Sequence, residues 1–184
     1  GGGGRPSSGG GRGGAHPPGG SGGRPNSGGV ASKQSAGAQQ PSAAQVNRGN
    51  QMNPKHDAFW KSRAIAPGKV EVAYHGTTEK NAQAIMKGGF KPSGDGLLGP
   101  GVYTTPDRSK AEAFAGPGGS VIKVVANFGN VKSVDARAAR ERAFSEKSWQ
   151  RTHDTGFIAS GEGVARPEHC VKDPLRVVPQ KLMK

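Results

Sequence analysis

Large apolar residues are sparse until Phe59 and Trp60, and from there short apolar runs alternate with polar, turn-rich stretches. Residues 70–74 read as a strand. Thr77 or Thr78 then offers an N-cap for a helix over residues 79–87, which puts Ala82, Ile85 and Met86 on one face. Gly88 and Gly89 supply the stop. A glycine-rich loop over residues 94–101 leads into a strand at 102–105, and residues 106–115 predict a short helix with Ala111 and Phe114 turned inward. Residues 121–128 are apolar and β-branched, the pattern of a buried strand. A further strand is expected at 131–135 after the turn Gly129-Asn130, then a charged helix at 137–147 and short strands at 155–159, 169–172 and 176–178. Many short strands that do not alternate with long helices predict an α+β fold with antiparallel sheet rather than a doubly wound parallel one.

The segment before this pattern is of another kind. Of the first fifty residues seventeen are glycine, and the charged ones are Arg5, Arg12, Arg24, Lys33 and Arg48, with no acid. So little apolar surface cannot offset the entropy of ordering a chain, so residues 1–55 are expected to be a disordered tail and 56–69 a linker to a folded domain at 70–184. Gly4-Arg5-Pro6-Ser7-Ser8-Gly9-Gly10 recurs as Gly23-Arg24-Pro25-Asn26-Ser27-Gly28-Gly29, a low-complexity repeat whose arginines suit contacts to nucleic-acid phosphates but bring no aromatic rings for base stacking. A formal net charge of +13 makes polyanions plausible partners. The single cysteine, Cys170, excludes an intrachain disulfide, and with no histidine spacing typical of ligands no metal site is expected. One cysteine and the lack of an apolar leader or membrane-spanning run lead us to expect an intracellular protein, cytoplasmic or nuclear, with no membrane partner. The first residue is Gly1 rather than Met, as in a fragment of a longer chain.

Three stretches carry candidate chemistry. Tyr74-His75-Gly76-Thr77-Thr78 runs from a strand into a helix; its glycine allows close approach to backbone, and the helix start presents N–H groups. Leu97-Leu98-Gly99-Pro100-Gly101-Val102-Tyr103 delivers an aromatic ring beside glycine backbone, where a flat heterocycle can stack. Pro167-Glu168-His169-Cys170-Val171-Lys172-Asp173-Pro174 opens a short apolar strand with a carboxylate. Each alone is ordinary: a turn, a core tyrosine, a solvated strand end.

In this order they resemble the catalytic domain of the poly(ADP-ribose) polymerases, the ADP-ribosyltransferases with a His-Tyr-Glu triad. Asn81, Gly88-Gly89-Phe90-Lys91-Pro92 and Ser109-Lys110-Ala111 look like further family positions, and the likeness spans residues 70–180. The shortness of the domain, Trp149, Asp154-Thr155 and the run from Cys170 to Pro174 look most like the small, stand-alone, virus-inducible members described in fish. The resemblance implies a split antiparallel sheet with a few short helices, NAD as co-substrate without a metal, and transfer of ADP-ribose to a protein or nucleic-acid acceptor with release of nicotinamide, in single units rather than chains. It implies that His75, Tyr103 and Glu168 are catalytic. His75 would bind the adenosine ribose and help seat the nicotinamide, Gly76 would hold the carboxamide through its backbone, and Gly101 and Tyr103 would line the nicotinamide pocket. Thr77, Asn81 and Lys91 would lie along the adenosine, and Ser109 and Phe114 would complete the cofactor site. Glu168 would stabilise the positive charge that develops on the ribose as the glycosidic bond breaks. Two departures stand out. Phe114 replaces a second stacking tyrosine, and Lys91 replaces an arginine, giving a point charge for a planar fork. The alternatives are an NAD-using RNA 2′-phosphotransferase, a non-catalytic module that binds NAD or ADP-ribose, and a nucleic-acid-binding protein acting through its Gly-Arg tail.

Overall fold

The structure, a computed structural model, describes residues 40–135, 140, 148–162 and 164–183. The expected tail up to residue 39 and most of the expected helix at 137–147 lie outside the described residues.

Two helices precede the first strand where a tail and a linker were expected. α1 spans Ala43–Met52 and starts at a capping box: the Ser42 hydroxyl accepts from the Gln45 N–H while the Gln45 side chain accepts from the Ser42 N–H. It buries no side chain. α2, Asp57–Lys61, buries Phe59 and Trp60. The expected linker is therefore part of the core: Phe59, Trp60 and Ile65 cluster with Val125 and pack on Val70, Val72 and Val178.

Seven strands form two sheets. The first has the order β1-β3-β7, with β1 at Val70–Thr78, β3 at Gly119–Asn127 and β7 at Val177–Met183, all antiparallel. The second has the order β2-β6-β5-β4, with β2 at Val102–Thr104, β6 at Glu168–Val171, β5 at Thr155–Ile158 and β4 at Val131–Ser133. Its β2–β6 and β5–β6 pairs are antiparallel, but β4 runs parallel to β5. The α+β expectation holds, and the second sheet is mixed rather than wholly antiparallel. A parallel neighbour needs a long crossover, which the chain between residues 133 and 155 supplies. β1 and β7 run well past the strands expected at 70–74 and 176–178.

β3 explains the long apolar run in the sequence. Ile122, Val124 and Ala126 alternate toward a cluster with Ala73, Ala82, Phe90, Phe128 and Val171, while Val125 faces the Phe59–Trp60 cluster. A strand covered on both faces needs apolar side chains at every position. α3, Glu79–Gly88, is capped by the Thr78 hydroxyl and buries Ala82; its chain leaves at Gly89 with φ 81°. α4, Arg108–Ala115, starts at Asp107, whose carboxylate accepts from the Lys110 N–H, and buries Ala111. Phe114 corrects the sequence reading: it is 64 % exposed rather than inward. Among the described residues no helix is long and apolar enough to cross a membrane.

Candidate functional site

The two sheets touch where Tyr74 of β1 exchanges both backbone hydrogen bonds with Thr105, just past β2 (2.8 and 2.9 Å). Beyond that bridge the sheets part and leave a cleft of about 330 Å³, lined by His75, Gly76, Tyr103, Ala111, Phe114 and Glu168 among others. The three triad positions, each on a different strand, therefore face one cavity.

Backbone periodicity places each group. Tyr74 turns its N–H and C=O away from β3, toward β2, so two residues on Gly76 does the same, and there β2 no longer lies opposite. Gly76 thus offers one donor and one acceptor to the cleft. Its lack of a side chain is required from the other direction: a Cβ would collide with the Ala111 carbonyl of α4. On the second sheet Tyr103 stands opposite Cys170, and Glu168, two residues from Cys170, shares their face.

His75 sits inside β1, three residues from its end. Its Nδ1 lies 2.7 Å from the Tyr103 carbonyl oxygen, and the ring meets Phe90 edge-on. A carbonyl only accepts, so Nδ1 carries the proton and Nε2 of the neutral ring is an acceptor. Burial holds the imidazole pKa below its usual 6.5, against the pull of that hydrogen bond. Nε2 of the neutral His75 ring can thus accept a hydrogen bond from a hydroxyl.

Tyr103 presents its ring to the cleft and commits its hydroxyl elsewhere. The oxygen accepts from the Leu98 N–H and donates to the Gly99 carbonyl, both at 2.8 Å. Burial, first of all, pushes its pKa far up, so the hydroxyl is no acid at physiological pH. The glycine-rich loop is strapped from other elements as well. Trp149 Nε1 donates to the Leu98 carbonyl at 3.0 Å and Gln150 Nε2 to that of Pro100 at 2.7 Å. Cys170 fills the space beneath, where burial raises its thiol pKa to about 12. It is a packing residue, and no Cβ fits at Gly101 beside its sulfur.

Glu168, expected at a strand end, is only 7 % exposed. Lys110 of α4 donates to its Oε2 at 2.6 Å and to the Arg166 carbonyl at 2.7 Å. Side-chain exposures of 12 % and 9 % make this a desolvated ion pair. Lys110 is the functional candidate that was missed. The motif Ser109-Lys110-Ala111 contained it, but lysines on short helices are usually solvated, and only the ion pair that α4, packed on β1, makes with Glu168 distinguishes this one.

The remaining expected positions fall into two flanking concavities. Thr77, Asn81, Lys91 and Gly101 line one that shares His75 and Tyr103 with the central cleft. Ser109 lies outside the central cleft, in one that shares Phe114 and Glu168 with it. The concavity of Thr77, Asn81 and Lys91, the central cleft, and the concavity of Ser109 and Lys110 thus follow one another, joined first at His75 and Tyr103 and then at Phe114 and Glu168. No protein-family model matches the chain, and no curated protein matches it. Among the described residues no group of three or more His, Cys, Asp or Glu side chains could hold a metal ion.

Proposed function

We propose that this chain transfers ADP-ribose from NAD to an acceptor and releases nicotinamide. The observation that carries the reading is the convergence of His75, Tyr103 and Glu168 on one cleft, with Gly76 backbone groups turned into it. The residues suit the dinucleotide. Gly76 offers the donor–acceptor pair that a carboxamide needs. The rings of Tyr103 and Phe114 border the same cavity, so a flat pyridine ring fits against them. His75 Nε2 accepts from a ribose hydroxyl. Lys91 and Asn81 lie along the continuation of the cleft, where the adenosine half would run.

NAD supplies an activated glycosidic bond, and its cleavage places positive charge on the ribose. Among the described residues Glu168 is the one carboxylate lining the cleft, and Lys110 holds it in place at 2.6 Å. A preorganised charge on a side chain only 9 % exposed costs little reorganisation when the ribose charge develops. The ion pair offsets part of that field, and its buried setting restores strength that water would screen. Transfer of single units remains the preferred outcome of this reading.

The test is Glu168→Gln, which keeps the size and accepts from Lys110 but loses the charge. NAD affinity by calorimetry should be near wild type, with label transfer lowered by at least about 100-fold. His75→Ala should weaken NAD binding itself, because its bond exists in the ground state. Transfer by Glu168→Gln at the wild-type rate would sink the mechanism.

A further inference from the structure

We infer that Thr105 is a positioning residue for Glu168: its buried hydroxyl fixes the start of β6, and with it the point at which the carboxylate meets the ribose. This deepens the ADP-ribosyltransferase reading and rests on it. The β2–β6 ladder ends at the pair Thr104–His169, one residue short of Glu168. Thr105 gives both of its backbone groups to Tyr74 of β1, so toward β6 it has only its side chain. That hydroxyl donates to the Pro167 carbonyl at 2.8 Å and accepts from the Asp107 N–H at 3.1 Å. Thr105 is 3 % exposed, so water has little access to either bond. The preceding carbonyl is held as well: Lys110 Nζ donates to that of Arg166 at 2.7 Å and to Glu168 Oε2 at 2.6 Å. The two residues in front of Glu168 are thus both gripped from the end of β2 and the first turns of α4, Pro167 by Thr105 and Arg166 by Lys110.

One oxygen therefore ties the helix that carries the ammonium to the strand that carries the carboxylate. On the helix side its partner is Asp107, which caps α4 by accepting from the Lys110 N–H and pairs with Arg166 at 3.2 Å. The Lys110–Glu168 ion pair sets a distance between two side chains but leaves the pair free to shift together. The Thr105 bond restrains the backbone to which the carboxylate is attached. A charge that stabilises a transition state must be well placed, and a shift of about 1 Å can cost on the order of 100-fold in rate. Thr105 also borders the cleft, but its proton is committed to Pro167 and is not offered to a ligand. It acts through Glu168. Valine has the outline of threonine without the hydroxyl, so Thr105→Val removes both bonds with little change of shape.

The experiment measures NAD affinity by calorimetry and nicotinamide release from saturating NAD. It compares the full chain with Thr105→Val, Thr105→Ser, Glu168→Gln and Thr105→Val/Glu168→Gln, with circular dichroism as the check on folding. We expect Thr105→Val to bind NAD within about threefold of wild type and to release nicotinamide about 10- to 100-fold more slowly, because the charge acts in the transition state. Thr105→Ser restores the hydroxyl and should bring the rate back to within about threefold of wild type. In the Glu168→Gln background Thr105→Val should change the rate by less than about twofold, since a residue that acts through a charge does nothing once the charge is gone. If Thr105→Val does not fold, Thr105→Ala takes its place in the same cycle. Four results overturn the inference and leave the enzyme reading standing: a folded valine variant at the wild-type rate, one that loses NAD affinity instead of rate, a serine variant as slow as the valine one, or a valine effect of equal size with and without the Glu168 charge. No nicotinamide release by the wild-type chain overturns the enzyme reading and the inference with it.

Discussion

The Lys110–Glu168 pair lends itself to a double-mutant cycle. Its 2.6 Å contact joins two side chains only 12 % and 9 % exposed, so solvent screens the interaction weakly. Removing one member of such a pair leaves the other desolvated without compensation, at about 3–5 kcal/mol. Lys110→Met is the harsher case, since it strands a carboxylate between β6 and α4. Glu168→Gln is milder, about 2 kcal/mol, because Lys110 keeps the Arg166 carbonyl and gains a neutral acceptor. Independent effects would sum to about 5–7 kcal/mol. The double variant Lys110→Met/Glu168→Gln instead places two neutral groups together, and replacing a buried pair by neutral groups is often close to neutral. We expect it to lose no more than about 2 kcal/mol, a coupling of about 3 kcal/mol or more. Urea unfolding followed by circular dichroism gives all four stabilities. Additivity within about 0.5 kcal/mol would show that the two side chains do not interact as the structure has them.

Two further outcomes follow from other parts of the fold. His169 lies stacked between Phe128 and Phe157, with centroids 4.0 and 4.6 Å away and no partner for its Nδ1, and burial lowers its pKa to about 4. The folded state resists protonation that the unfolded chain accepts near 6.5, so stability is full above that pH. It should fall as pH drops from 6.5 toward 4, by about 3 kcal/mol in all. His169→Phe should flatten this loss in urea titrations at pH 5 and pH 7, and an unchanged pH dependence would refute the assignment. Separately, a chain starting at residue 70 should unfold more readily than one starting at residue 40. It lacks Phe59, Trp60 and Ile65, and losing buried Trp60 alone is worth about 3–5 kcal/mol. Equal melting temperatures for the two chains would mean α2 adds nothing to the core.

Elements whose own residues determine them could be read along the chain. Thr78 caps α3, Gly89 ends it, and the β-branched run of β3 marks a strand, because cap, stop and burial are written locally. The misses depend on distant partners. Residues 43–55 were read as tail and 56–69 as linker, since the capping box of Ser42 and Gln45 sits among Gly, Ala and Asn, and only two aromatic residues of α2 reach the core. The parallel placement of β4 is set by its pairing with β5, more than twenty residues away in the chain, and nothing within Val131–Ser133 specifies direction.

The same division runs through the site. The ordered spacing of His75, Tyr103 and Glu168 was visible, and its physical origin is the register of three strands: β1 meets β2 at Tyr74 and Thr105, and β2 meets β6 at Tyr103 and Cys170. Their environments were not visible. Glu168 opens its strand as a solvated carboxylate would, and only the approach of α4 from the first sheet desolvates it and brings Lys110. Gly76 was read as an opening for a ligand, whereas its missing Cβ makes room for that same helix. A single packing contact, α4 on β1, thus sets three things at once: the backbone of Gly76 at the parting of the sheets, the Phe114 ring at the cleft mouth, and the ammonium against Glu168. Gly76→Ala, distant from Glu168 in the chain, would push on the helix that carries the carboxylate's only ion-pair partner among the described residues. The cleft's electrostatics therefore depend on helix docking as much as on the identity of the triad.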